Sequence, residues 1–175
     1  MEDRLARVRL LILDVDGVMT DGRIILDGQG EETKNFHVRD GQGLNLLIRA
    51  GIEVVIISGR QSRAVEHRAK ELGIREVYQG VKNKVRVLEE LIQRKGLEKE
   101  QVCCVGDDLP DLPLFREVGI SIAVADAVPE LLDAATFITK KRGGKGAVRE
   151  VCEWILKASH QWPEATPFRE AKNPQ

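Results

Sequence analysis

An apolar run from Val8 to Leu13 stops at Asp14-Val-Asp16-Gly17, and the same pattern returns twice further on. Ile52 to Ile57 runs into Ser58-Gly59-Arg60, and Gln101 to Val105 runs into Gly106-Asp107-Asp108. Short apolar runs without alternation read as strands covered on both faces, the state of a parallel sheet with helices above and below. Helical patterns fill the intervals. Gln42–Ala50 places Leu44, Leu47 and Ile48 on one face. Ser62–Leu72 is stopped by Gly73, and Asn83–Lys95 ends near Gly96. A short helix opens at Pro110, another spans Val128–Ala134, and Ala147–Ala158 carries Val148, Val151, Trp154 and Ile155 on one side. Shorter strands are expected at Arg75–Tyr78, Gly119–Val124 and Thr136–Thr139. The alternation predicts an α/β fold: a Rossmann-like three-layer sandwich with a mainly parallel sheet. Gly22–Asp27 and Glu31–Phe36, joined by Asp27-Gly-Gln-Gly30, add a β-hairpin insertion after the first strand, followed by a loop from His37 to Gly41. The 175 residues suit one domain over 1–160. Pro163, Pro167 and Pro174 mark 161–175 as an extended or disordered tail.

The charge pattern removes several classes of function. The formal net charge is -1 with no basic stripe, so no nucleic-acid partner is expected. No apolar run is long enough to span a bilayer, and Met1-Glu-Asp-Arg opens no signal peptide, so no membrane association is expected. Cys103, Cys104 and Cys152 form no disulfide framework and read as buried thiols in a reducing cytoplasm. Gly143-Gly-Lys-Gly146 lacks the Ser or Thr of a P-loop, and Leu46 stands where a dinucleotide fingerprint starting at Gly41 needs its third glycine.

In an open α/β sheet, ligands bind beyond the carboxyl ends of the strands. If the three long strands are neighbours, Asp14, Asp16, Ser58, Asp107 and Asp108 share one rim. Crowded carboxylates repel, and a cation resolves the repulsion. Mg²⁺, bound by one or two carboxylates and a phosphate, suits Asp14 and Asp107, with Asp16 contributing its backbone carbonyl. Asp14 is then the candidate nucleophile toward phosphorus and Asp16 the candidate acid-base. Ser58 is either a donor to a phosphoryl oxygen or a helix cap. Lys84 lies on one helical stripe with Leu88 and Leu91, so it points into the core and needs an anionic partner there, unless it snorkels outward; Lys82 faces the solvated side. Arg68 lines up with Ala64 and Leu72, Arg60 follows Ser58-Gly59 at the rim, and Arg39 lies within reach. Together they suit a substrate bearing a carboxylate as well as a phosphate, with structural ion pairs as the competing reading. Asp108 and Asp111 are candidates to support the metal or Lys84, Asp111 having helix capping as its alternative.

These residues resemble the four motifs of the haloacid dehalogenase superfamily: Asp14-Val-Asp16-Gly-Val18, Ser58 with Gly59-Arg60, Lys84, and Gly106-Asp107-Asp108 with Asp111. The resemblance implies a phosphoaspartyl mechanism, with Mg²⁺ held by Asp14, the Asp16 carbonyl and Asp107. Phe36-His-Val-Arg-Asp-Gly41, Tyr78-Gln-Gly80 with Asn83-Lys84, and the stretch from Gly143 to Val151 further resemble the 3-deoxy-D-manno-octulosonate 8-phosphate phosphatases, over about Arg9 to Trp154. That closer likeness implies substrate contacts from Asp16, His37, Val38, Arg39, Asp40, Gly41, Asn45, Arg60, Arg68 and Lys84, and a step in lipopolysaccharide precursor synthesis. His37 and Asn45 stand where an asparagine and an arginine are expected. A related nine-carbon keto-sugar acid phosphate is therefore the second substrate reading. A non-catalytic relative would lack Asp14 or Asp16, and both are present. No gap has room for a cap domain. The resemblance implies instead a homotetramer whose hairpins pack together, with Gly143–Gly146 and the C-terminal tail closing a neighbour's site.

Overall fold

The computed structural model of the chain describes residues 2–162. The predicted tail, from 163 onward, lies outside the described residues. Six strands form one parallel sheet: β1 (Leu10–Leu13), β4 (Glu53–Ile57), β5 (Glu76–Tyr78), β6 (Val102–Gly106), β7 (Ile120–Ala123) and β8 (Phe137–Ile138). Their order is β5-β4-β1-β6-β7-β8. Every residue of β1 is 0% exposed, as a strand at the centre of a sheet covered on both faces must be. From β1 the chain builds one half of the sheet through β4 and β5, then crosses over and builds the other half from β6. That reversal opens a crevice at the carboxyl ends of β1, β4 and β6.

The helices are α1 (Glu2–Leu5), α2 (Val38–Arg49), α3 (Arg63–Leu72), α4 (Lys84–Lys95), α5 (Leu112–Glu117), α6 (Pro129–Ala134) and α7 (Ala147–Ala158). α7 packs on α1 and α2, and α2 on α3; α5 packs on α4 and α6. Two helical layers therefore enclose the sheet. Cys103, Cys104 and Cys152 are all buried free thiols.

The structure adds α1, which carries too few residues to show a helical period, and corrects two local expectations. α2 begins at Val38, so His37–Gly41 is not a loop: His37 is the N-cap and the next four residues are the first turn. Two glycines in this turn and the next hid the helix, yet both sit at close packing contacts. A side chain at Gly41 would overlap the Arg68 guanidinium, and one at Gly43 would press on Cys152 and Arg149 of α7. Between β1 and α2, the strands β2 (Ile25–Leu26) and β3 (Glu32–Thr33) pair antiparallel over only two residues each, far less than the six-residue strands expected.

Candidate active site

Asp14 leaves the end of β1, its N–H donating to the Val105 carbonyl of β6 at 3.2 Å. Asp107 leaves the end of β6. Lys84 is the first residue of α4, where Asn83 caps the helix by accepting the Arg86 N–H at 3.2 Å. The stripe containing Leu88 and Leu91, both 0% exposed, carries Lys84 inward until it is only 6% exposed. Its Nζ donates to Asp14 Oδ1 and to Asp111 Oδ1, each at 2.6 Å. Lys82 is exposed. The inner stripe therefore supplies the cation, and Lys84 does not snorkel outward.

Asp111 lies in a 3₁₀ turn, Leu109–Asp111, and its Oδ2 accepts the Asp107 N–H at 3.2 Å. It comes this close because residue 106 is glycine: a Cβ there would overlap the Asp111 side chain. Gly17 has the same relation to Asp107, with φ at +90°, a backbone conformation that glycine adopts without cost. Asp108 is exposed and caps the turn through the Leu109 N–H at 2.7 Å.

Asp14, Asp107 and Asp111 each offer a carboxylate oxygen, all within 4.8 Å of one another. Three carboxylates and one ammonium leave the cluster two negative charges in excess. The acids register the imbalance. Burial, then the Asp14 and Asp111 charges, push Asp107 up to about 8. Burial and Asp111 raise Asp14 to about 6 even though Lys84 opposes them. For Lys84, burial favours loss of the proton, but Asp14 and Asp111 outweigh it and hold the ammonium charged. An oxygen-only donor set short of two positive charges fits one hard divalent cation.

The acids border a cavity of about 200 Å³, lined by Asp14, Asp16, Ser58, Gly59, Arg60, Lys84, Asp107, Asp108, Pro110 and Asp111. Ser58 is 3% exposed and accepts the Arg60 N–H at 3.3 Å; the N-cap of α3 is Ser62, so Ser58 is not a helix cap. The Asp16 carboxylate is gripped by two cations. Lys34 Nζ bonds its Oδ1, and Arg60 Nε lies 3.5 Å from Oδ2. Glu32 Oε1 ties the two cations together, 2.6 Å from Arg60 Nη2 and 3.3 Å from Lys34 Nζ. Lys34 and Glu32 belong to the hairpin and were not among the expected site residues.

The remaining expected substrate residues line other surfaces. His37 and Arg39 border a separate cavity of about 570 Å³ with Lys141, Lys145 and Arg149. Val38 is 78% exposed at the start of α2. Asp40 is 4% exposed and accepts the Arg149 N–H at 2.8 Å, capping the first turn of α7. Arg68 lies against Gly41, stands 5.9 Å from the Phe36 ring centroid and pairs with Glu71 at 2.7 Å. Asn45 is half-buried on α2. Gly143 and Gly144 are buried against their own chain's Gly17–Asp21 loop, with the Gly144 N–H donating to the Val18 carbonyl at 2.9 Å. The expectation that this segment covers a neighbour's site therefore narrows to its later residues.

The fold and this acid cluster are those of a haloacid dehalogenase-like hydrolase, and that family's model matches residues 73–151. The 3-deoxy-D-manno-octulosonate 8-phosphate phosphatase KdsC of Yersinia pestis is 50% identical over 163 residues, covering 93% of this chain and 87% of the relative. Its solved structure superposes with a TM-score of 0.90 at 50% identity, over 91% of this chain and 86% of that one. The corresponding phosphatase of Moraxella catarrhalis, solved with a magnesium ion, a phosphate ion and a KDO molecule, has a TM-score of 0.89 at 45% identity, over 91% of both chains. The chain belongs to the haloacid dehalogenase-like hydrolases, in the branch of the KdsC phosphatases.

Proposed function

We propose that this chain is a magnesium-dependent phosphoric monoester hydrolase that converts 3-deoxy-D-manno-octulosonate 8-phosphate to 3-deoxy-D-manno-octulosonate and phosphate. The observation that carries the reading is Lys84 bridging Asp14 and Asp111 beside Asp107, in a chain half identical to a phosphatase named for that substrate.

Asp14, Asp107 and the Asp16 backbone carbonyl would hold the magnesium ion, which when bound balances the carboxylates and polarises the phosphoryl oxygens. Lys84 adds a fixed positive charge beside Asp14, on the side where phosphoryl oxygens would lie, and Asp111 keeps it there. An Asp14 oxygen attacks phosphorus, and the bond to the sugar oxygen breaks with its electron pair. That oxygen takes the proton of Asp16 and leaves as the alcohol. Asp16, now a carboxylate, takes a proton from water as the water oxygen attacks phosphorus. The Asp14–phosphorus bond breaks, returning the Asp14 carboxylate and releasing phosphate. Ser58 and Arg60 hold the phosphoryl group and the near end of the sugar acid.

The substrate's carboxylate calls for cations beyond this small cavity. His37, Arg39, Lys141, Lys145 and Arg149, with Glu150 and Glu153 among them, border a surface richer in cations than in acids that a second copy of the chain can present. Ile24, Ile25 and Leu26 of the hairpin are 55%, 37% and 58% exposed, an apolar strip suited to self-association. Both observations support self-association, which we read as a homotetramer in which each open site is completed by a neighbour; the step in lipopolysaccharide precursor synthesis rests on the resemblance alone.

Phosphate release from a panel of sugar phosphates with Mg²⁺ tests the reading. The eight-carbon keto-acid phosphate should be preferred over both the nine-carbon keto acid and simple hexose phosphates. Asp14→Asn should abolish turnover. A flat profile across the panel would remove the proposed substrate.

A further inference from the structure

The hairpin brings into the site a lysine that no motif of the sequence marked. Lys34 follows β3 directly, and its side chain is only 1% exposed. Its ammonium meets two carboxylates, Asp16 Oδ1 and, at 3.3 Å, Glu32 Oε1. A lysine so enclosed cannot reach a substrate in the cavity; what it touches is the acid-base candidate. Asp16 is itself 20% exposed through its side chain and borders the cavity: Lys34 holds Oδ1, and Arg60 Nε lies 3.5 Å from Oδ2. Arg60 is less suited to this role. It is 46% exposed and 3.5 Å from Asp16, and its closer partner is Glu32. Lys34 is thus the buried anchor and Arg60 the more exposed neighbour.

We propose that Lys34 is a positioning residue: by holding Oδ1 it fixes the rotamer of Asp16 so that Oδ2 stands where the leaving oxygen of the substrate needs a proton. Glu32 orients Lys34 and steadies Arg60 in turn. The hairpin is therefore part of the catalytic apparatus of its own chain. The proton still moves from Asp16 to the departing oxygen as the phosphorus–oxygen bond breaks; Lys34 exchanges no proton and forms no bond to substrate. The inference rests on the phosphatase reading given above.

Two substrates separate this role from plain structural support. A sugar alkoxide leaves poorly without a proton, whereas p-nitrophenolate leaves as the anion, so only the first depends on a well-placed acid. The second-order constant kcat/KM reports the steps through the first phosphoryl transfer. Lys34→Met should lower it for a sugar phosphate by about 100-fold, the scale of general acid catalysis. The loss on p-nitrophenyl phosphate should be smaller by at least about tenfold. Equal losses on the two substrates, or no loss on either, would overturn the inference and leave the phosphatase reading intact. If the wild type releases phosphate from neither, both fall. Removing a buried ammonium leaves Asp16 and Glu32 with Arg60 as their shared cation and can unfold the chain. Lys34→Met combined with Glu32→Gln removes one of the two carboxylate charges, and the same contrast between substrates is expected.

Discussion

Lys84 shows how far one side chain's placement can be argued from spacing and then checked by charge. Its position on a stripe with Leu88 and Leu91 required an anionic partner, and it has two. Breaking a buried ion pair from one side costs about 3–5 kcal/mol because the other charge stays behind. Lys84→Ala should therefore lower phosphate release by at least about 100-fold and destabilise the fold, while Lys82→Ala stays within about twofold of wild type, since Lys82 is exposed. Equal losses would show that the ammonium at residue 84 is not part of the chemistry. The acids give a second prediction. Asp107 titrates near 3.8 in an open chain and at about 8 in the fold, and Asp14 near 3.8 and about 6. A carboxyl whose pKa is higher in the fold takes up a proton on folding, so metal-free stability should fall as pH rises from about 4 through 8. A divalent cation needs these oxygens deprotonated, so it removes most of the penalty where the penalty is largest. Thermal melting with Mg²⁺ and with EDTA should show a larger metal-induced rise in Tm at pH 8 than at pH 6. A metal effect that does not change with pH would mean that the acid cluster is not the binding site.

Strands were easier to read than the parts that lie between them. β1, β4 and β6 announce themselves because a covered strand must be apolar throughout, and the acids at their ends stand out against that background. Neighbour order then brought Asp14, Ser58 and Asp107 to one rim. The start of α2 was hidden because glycine in a helix costs roughly 1 kcal/mol against alanine, a local penalty that contact with Arg68, Arg149 and Cys152 overrides. Lys34 was illegible for a different reason. Its partner Asp16 lies 18 residues away across a hairpin, and no period links the two. Asp40 carries the prediction that belongs at this scale. Its likeness to a substrate-contacting motif competes with its place under the first turn of α7, where it accepts the Arg149 N–H. Loss of an N-terminal cap costs about 0.5–2 kcal/mol. Asp40→Ala should lower Tm by several degrees, roughly 2–4 °C per kcal/mol in a chain of this size, with KM for the sugar acid phosphate little changed. A KM raised tenfold with Tm intact would instead place Asp40 on the substrate.

The molecule as a whole leaves its chemistry open to water. Between β1 and β4 it has only the short hairpin and α2, and the acid cavity holds about 200 Å³, room for a phosphoryl group but not for an eight-carbon acid as well. Water in an open site weakens each charge–charge contact several-fold relative to a closed one. A second cavity, of about 570 Å³, is bordered by His37, Arg39, Lys141, Lys145 and Arg149 together with Glu150 and Glu153. Under the proposed assembly, a neighbour's copy of that cavity meets the acid cavity. The hairpin offers a surface for that assembly, because Ile24 and Leu26 are more than half exposed. If association through this strip completes the site, Ile24→Ser with Leu26→Ser should yield a smaller species by sedimentation. Its kcat/KM for the keto-acid phosphate should fall by at least about tenfold, since each tenfold step needs only about 1.4 kcal/mol of lost contact. Turnover of p-nitrophenyl phosphate, which needs only the acid cavity, should change far less. A wild-type chain that sediments as a monomer at full activity would mean that one copy holds the whole sugar acid, and the basic cavity would then have to serve some other ligand.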